Sequence, residues 1–144
     1  MRISKEKKVI PFFEYMEGLQ IQIRYINDDE STEVLNQSTD VSYDKRHQKD
    51  KAIDNMKFNR KMTKLAIVGW KPFKRSGLRY LISPEKKINL DEGETMDDMI
   101  EYSKEAFDLI VENTHVDFMN FVIDASRSAG VYIRAEEKLE LENL

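Results

Sequence analysis

The sequence predicts an α+β fold: a small antiparallel sheet or hairpin from the N-terminal third, packed on about three helices. Three observations predict it. The stretch GLQIQIRYIND, from Gly18, alternates with period two. Segments 44–67 and 95–112 carry apolar residues at helical spacing. Segment 115–129 is apolar around most of a helical circumference.

In the first of these, Leu19, Ile21, Ile23 and Tyr25 fall on one face and Gln20, Gln22 and Arg24 on the other, as in a half-buried strand. Asn27-Asp28-Asp29 supplies a turn. Glu30–Gln37 suits a short helix or a second strand equally. Asp44 is placed to cap a helix running to about Ile67. On it Ala52, Ile53, Met56, Thr63, Ala66 and Ile67 form one stripe, with Met62 at its edge, and Lys57, Lys61 and Lys64 form a row opposite.

Gly69 and Pro72 then end the regular pattern around Trp70, the only tryptophan. Pro72 has no amide proton and biases Lys71 away from the helical region. Arg75-Ser76-Gly77 reads as a turn, Leu78–Ile82 as a short strand, and Leu90–Glu94 as an acidic loop.

Thr95 opens the next predicted helix, with Asp98 three residues on as a weaker capping box. Met96, Met99, Ile100, Phe107, Ile110 and Val111 line one face; Asp97, Glu101, Glu105, Asp108 and Glu112 line the other. In the helix His115–Ala129, Phe118, Met119, Val122, Ile123 and Ala125 leave only a thin polar strip, so it is central in the core or sits at an interface. Gly130 is placed to terminate it. The tail AEEKLELENL suits a helix but has little to bury.

The 144 residues suit a single domain, 1–144, with mobile segments expected at about 1–10 and 135–144. No apolar run approaches membrane-spanning length, so no membrane partner is expected. The start, MRISKEKKVIPFF, lacks the apolar core and cleavage site of a signal peptide, which makes the cytoplasm the expected location. The lack of cysteine excludes disulfides, thiol catalysis and Cys-ligated zinc.

The net charge of −4 conceals a split. Residues 1–75 hold 16 Lys/Arg against 11 Asp/Glu, and residues 76–144 hold 7 against 16. Within 45–75 the count is 11 to 2. Such a segment attracts nucleic acid, an acidic partner or the acidic half of its own chain.

Chemistry is sought without result. There is no phosphate-binding glycine-rich loop and no dinucleotide fingerprint. His47 and His115 stand far apart, and His115 suits a position near a helix cap. Asp97, Asp98 and Glu101 lie close together, but LDEGETMDD lacks the spacing of a calcium loop. A solvated acidic face near a helix N-terminus explains them. No catalytic residue, cofactor or metal site is read, and the protein is expected not to be an enzyme.

Trp70 has two readings: a large aromatic plugging one end of the core, or a partly exposed anchor flanked by lysines. The order of features resembles the tail assembly chaperones of long-tailed phages. An early strand, GLQIQIRYI, is followed by a charged helix running into LAIVGW, then by KPFKRSGLRYLISPEKK. Two closing helices contain EAFDLIV and HVDFMNFVIDAS, ahead of the charged end EEKLELENL. The match spans roughly residues 18–144 and is one of feature order. It departs from the family pattern where Pro72-Phe73 intervenes before Ser76-Gly77, and in the acidity of 90–95.

The resemblance implies a binding protein of phage or prophage tail morphogenesis. Its partners would be tail proteins, namely the tape measure and tail tube, with homo-oligomers possible. Partner contacts are expected at Phe118, Phe121 and Val122 on the apolar helix, at Lys57, Lys61 and Lys64 on the basic row, and at Trp70. Methionines on the predicted helices (Met56, Met62, Met96, Met99 and Met119) suit either an adaptable surface or an ordinary core. Two alternatives stand beside this reading. One is a structural virion or head–tail completion protein. The other is nucleic-acid binding through helix 45–75, with Phe58, Trp70 and Phe73 stacking on bases; no recognised motif supports it.

Overall fold

The computed structural model describes residues 9–43, 46, 48–86 and 95–143. It is α+β, as the sequence predicts. The predicted features at residues 1–8, Asp44, His47 and Leu90–Glu94 lie outside the described residues.

Strands β1 (Phe12–Met16) and β2 (Leu19–Ile23) form an antiparallel hairpin. Its turn, Glu17-Gly18, needs a left-handed residue, and Gly18 adopts φ +82°. Leu19, Ile21 and Ile23 are buried, as the alternation predicts, while Tyr25 beyond the strand end is exposed.

Helix α1 (Asp28–Gln37) starts where a turn was expected. The Asn27 side chain accepts from the Glu30 amide at 2.9 Å, and Glu30 reaches back to the Asn27 amide. Three acidic residues in its first turn complement the helix dipole. These features decide for a helix over the Glu30–Gln37 ambiguity.

The long helix expected from Asp44 to Ile67 is instead a strand and a shorter helix. Strands β3 (Thr39–Tyr43) and β4 (Lys49–Ile53) make a second hairpin. Helix α2 (Asn55–Ala66) follows, capped by Asp54, whose carboxylate accepts from the Lys57 amide at 3.0 Å. Residues 49–53 can extend because the preceding β3 is present as a hairpin partner, a pairing that helical periodicity does not register. Met62, Thr63 and Ala66 carry the buried stripe of α2, so Met62 is central rather than marginal, and Ala52, Ile53 and Met56 are exposed.

The chain passes from Ala66 directly into β5 (Ile67–Trp70), which pairs antiparallel with β2, Ile21 opposite Trp70. The break at Gly69-Trp70 is therefore a third strand of the main sheet, order β1-β2-β5. Gly69 lies opposite Gln22 in the ladder; a Cβ there would meet the Gln22 amide oxygen at 3.0 Å.

Strand β6 (Phe73–Lys74) leads into a 3-10 helix at Arg75–Tyr80 where a turn and short strand were expected. The helix predicted from Thr95 begins later, as α3 (Lys104–Asn113), capped by the Ser103 hydroxyl. Thr95 and Asp98 do form the carboxylate half of a capping box, the Thr95 amide donating to Asp98 at 2.7 Å. The chain nevertheless extends into β7 (Met99–Ile100), because β6 offers it a ladder. The Arg75 and Ser76 amides also take the Asp98 and Met96 carbonyls.

Helix α4 (Val116–Ser126) is shorter than predicted. It ends at Arg127 rather than at Gly130, which lies in the first turn of α5 (Ala129–Glu142). The tail is helical as far as Glu142, a form its sequence suits. Among the described residues, no helix is long and apolar enough to cross a membrane.

The core sits between the main sheet and α2 and α4. Ile21, Ile23, Ile26, Met62, Leu81, Val111, Phe118, Met119 and Val122 are almost wholly buried. Among the described residues, four buried hydroxyls are satisfied: Ser38 donates to the Val34 carbonyl, Thr63 to Asn59 and Ser126 to Ile123 within their own turns, and Thr114 to Leu81 across the fold.

A two-faced hairpin as the candidate partner-binding site

The β3–β4 hairpin leaves both of its faces in solvent. Strand partners in an antiparallel pair share a face. Val41, Tyr43, Ile53 and Lys51 lie on one side; Asp40, Ser42, Asp50 and Ala52 lie on the other. Val41 is 49% exposed, Tyr43 68% and Ile53 50%. One face is thus apolar and cationic, the other polar and acidic. A two-stranded hairpin is marginal in water by itself, so this arm depends on its root.

The root is well fixed. The Asp54 amide donates to the Ser38 carbonyl at 2.8 Å, tying the C-cap of α1 to the N-cap of α2 across the base of the arm. Ser38 is fully buried, and Thr39 donates its hydroxyl to the Leu35 carbonyl at 2.8 Å. Met56, 46% exposed in the first turn of α2, and Lys57 beside it continue the arm's apolar and cationic chemistry onto the helix.

The residues expected to bind a partner divide sharply. Phe118 and Val122 are buried, packed in the core that α4 shares with the sheet and α2. The wide apolar surface of α4 is covered from within the chain, so those side chains are not available to a partner. Phe121 is half-buried, its ring 5.0 Å from that of Tyr15 and 6.4 Å from that of Phe118.

Trp70 is 7% exposed and serves the core. Its indole meets the Tyr102 ring edge-on at 4.8 Å and the Phe73 ring at 5.9 Å, and its N–H donates to the Ile100 carbonyl at 3.3 Å. Its ring partners thus lie in the segment before α3 and in β6. Phe73 is buried as well, and Phe58 is half-buried.

Lys57 and Lys64 are exposed as predicted. Lys61 is half-buried and reaches Gln37 at 3.4 Å. The acidic residues lie on two elements: Asp97 and Glu101, both exposed, precede α3, which carries exposed Glu105 and Glu112 and half-buried Asp108. Asp97 pairs with Lys74 at 3.6 Å across a largely exposed contact, worth little to stability.

His115 caps α4: its Nδ1 accepts from the Phe118 amide at 3.2 Å, and its Nε2 lies 2.8 Å from the Tyr80 carbonyl. With Nδ1 accepting, Nε2 carries the proton and donates. Among the described residues, no group of three or more His, Cys, Asp or Glu is arranged to hold a metal ion.

Sequence reasoning missed the arm because 44–67 also fits a helix. The signal that finds it is the strand-like TDVSY, with two β-branched residues and a tyrosine, directly after α1. Compared with known protein families, curated proteins and solved structures, the chain matches none.

Proposed function

We propose that this protein is a non-enzymatic tail assembly chaperone of a phage or prophage. It holds an elongated helical tail component, such as the tape measure, in the host cytoplasm through the outer face of the β3–β4 arm. The single observation that carries this reading is that arm: Val41, Tyr43 and Ile53 are uncovered beside Lys51, on a hairpin with a fixed root. Amphipathic helices with apolar stripes and acidic flanks have the complementary chemistry. The feature order of the sequence supports the choice of partner.

The test is co-expression with the tape measure of the same genome, followed by co-purification. The parent is expected to keep the tape measure soluble and to retain it. Tyr43→Asp and Ile53→Asp are expected to lose it while keeping the parent's urea midpoint. A parent that leaves the tape measure insoluble overturns the reading, as does a source genome that encodes no long-tailed phage genes.

The alternative of single-strand nucleic-acid binding is weakened by the burial of Trp70 and Phe73, which withdraws two of the three aromatics that would stack on bases. A structural virion role would require the protein to remain in purified particles, which the same co-purified tails report.

A further inference from the structure

A second surface, distinct from the β3–β4 strands, is open among the described residues. The 3-10 helix, the turn Ser83–Lys86 and Met96 enclose an open cavity of about 370 Å³. Its floor is apolar: Leu78 and Ile82 are each 5% exposed, and Met96 is 55% exposed beside them. Its rim is cationic, with Arg79 and Lys86 both exposed. The Arg79 guanidinium lies over the Tyr80 ring, 5.1 Å from its centroid.

The walls are held by backbone bonds, Ser76 to Met96 at 3.0 Å, Arg75 to Asp98 at 2.8 Å and Lys86 to Ser83 at 2.9 Å. None of the described lining residues is acidic. A cavity of this size and lining takes one or two aliphatic side chains flanked by carboxylates.

The chain carries such a ligand on itself. Helix α5 is anchored on its inner side by Tyr132, and its outer side is exposed at Ile133 and Leu141. At helical spacing Ile133, Glu137, Glu140 and Leu141 fall within an arc of about 100°. Ile133 is 55% exposed and Leu141 69%, with Glu137 and Glu140 exposed between them. Leu141 is not seated in its own chain's cavity. Two aliphatics framing two carboxylates on one copy match an apolar floor with two cations on another.

We infer that the outer face of α5 in one copy docks into this cavity in a second copy, with Leu141 on the apolar floor and Glu137 and Glu140 against Arg79 and Lys86. Each copy presents one cavity and one helix face, so the contact is isologous where it closes reciprocally in a dimer and heterologous where it runs around a ring or along a chain. The inference does not rest on the chaperone reading and uses none of the arm residues, so either fails without the other.

The experiment is sedimentation velocity across a wide range of protein concentration, at low and moderate salt. The parent's average mass is expected to rise with concentration, less so as salt screens the contact. Two double variants are made, Arg79→Glu with Lys86→Glu in the cavity and Glu137→Lys with Glu140→Lys on the helix. Each is expected to weaken association about tenfold or more, with an unchanged circular dichroism spectrum. Mixed in equal amounts, the two are expected to associate again, because every cavity then meets a helix of opposite sign. A parent that stays monomeric throughout overturns the inference. So does association that neither double variant weakens, or a mixture that stays monomeric.

Discussion

The phenol of Tyr132 donates a hydrogen bond of 2.8 Å to the carbonyl of Ile23, 109 residues earlier in the chain. This bond fixes the last helix to the end of the central strand. The Tyr132 ring also lies 5.9 Å from that of Phe13 and 5.4 Å from that of Tyr25. Nearby, Arg127 donates to the Ile26 carbonyl and to the Asp28 carboxylate, so the α4–α5 junction clamps the start of α1.

Tyr132→Phe removes the buried bond and leaves the Ile23 carbonyl to find another partner. The expected cost is about 1 kcal/mol in urea unfolding. Burial pushes the Tyr132 phenol above its ordinary value of 10.0, against the weaker opposing pull of the Arg24 charge. Above pH 10 the unfolded chain gives up this proton while the folded chain keeps it, so folded stability is complete below pH 10 and falls as pH rises beyond it. Titrating stability at alkaline pH is expected to show a shallower fall for Tyr132→Phe than for the parent.

Glu30 sets the acid side. The Arg24 guanidinium, bonded to it at 2.7 Å, holds its carboxyl below the ordinary value of 4.5, and the Asn27 amide assists. The stabilisation is present above pH 4.5 and is lost as pH falls through the lowered folded value. Glu30→Gln is expected to flatten the acid limb of the stability curve. A parallel acid limb in the variant would place the acid sensitivity elsewhere.

Trp70→Ala is expected to cost about 3–5 kcal/mol, the range for truncating a large buried aromatic. Trp70→Phe keeps a ring against Tyr102 and Phe73 and loses part of the indole's volume together with the bond to Ile100, so it is expected to cost less than Trp70→Ala. Equal urea midpoints for Trp70→Ala and the parent would contradict the burial.

Asp54→Ala removes the side-chain cap of α2 but not the backbone bond to Ser38. A loss of about 1 kcal/mol is expected, with Asp54→Asn close to the parent. Amide exchange within 39–53 is expected to change little relative to the first turn of α2.

Gly18→Ala forces a Cβ into the left-handed region at the β1–β2 turn, although the site itself is open. The expected cost is about 1–2 kcal/mol. Gly18→Asn is expected to cost less, because asparagine visits this region more readily. Thermal melts of the two variants compare them directly.

By itself the sequence determined the fold class, the buried face of β2, the buried stripe of α2 through Thr63 and Ala66, and the cap at His115. Each of these is written in neighbouring residues. Alternation places Leu19, Ile21 and Ile23 together, helical spacing places Thr63 beside Ala66, and a side chain at a helix start reaches an amide three residues on. Only the tertiary structure decided the fates of 49–53, 67–70 and 99–100, because a strand is completed by pairing: with the adjacent β3 for 49–53, and with a strand more than twenty residues away for the other two. Residues 49–53 pair with β3, Trp70 stands opposite Ile21, and Met99-Ile100 answers Phe73-Lys74; no local period encodes these pairings. The same holds for the candidate site. Phe118 and Val122 are as apolar as a docking face requires, but α2 and the sheet reach them first. Val41, Tyr43 and Ile53 stay exposed because their hairpin stands where nothing else in the described chain covers it.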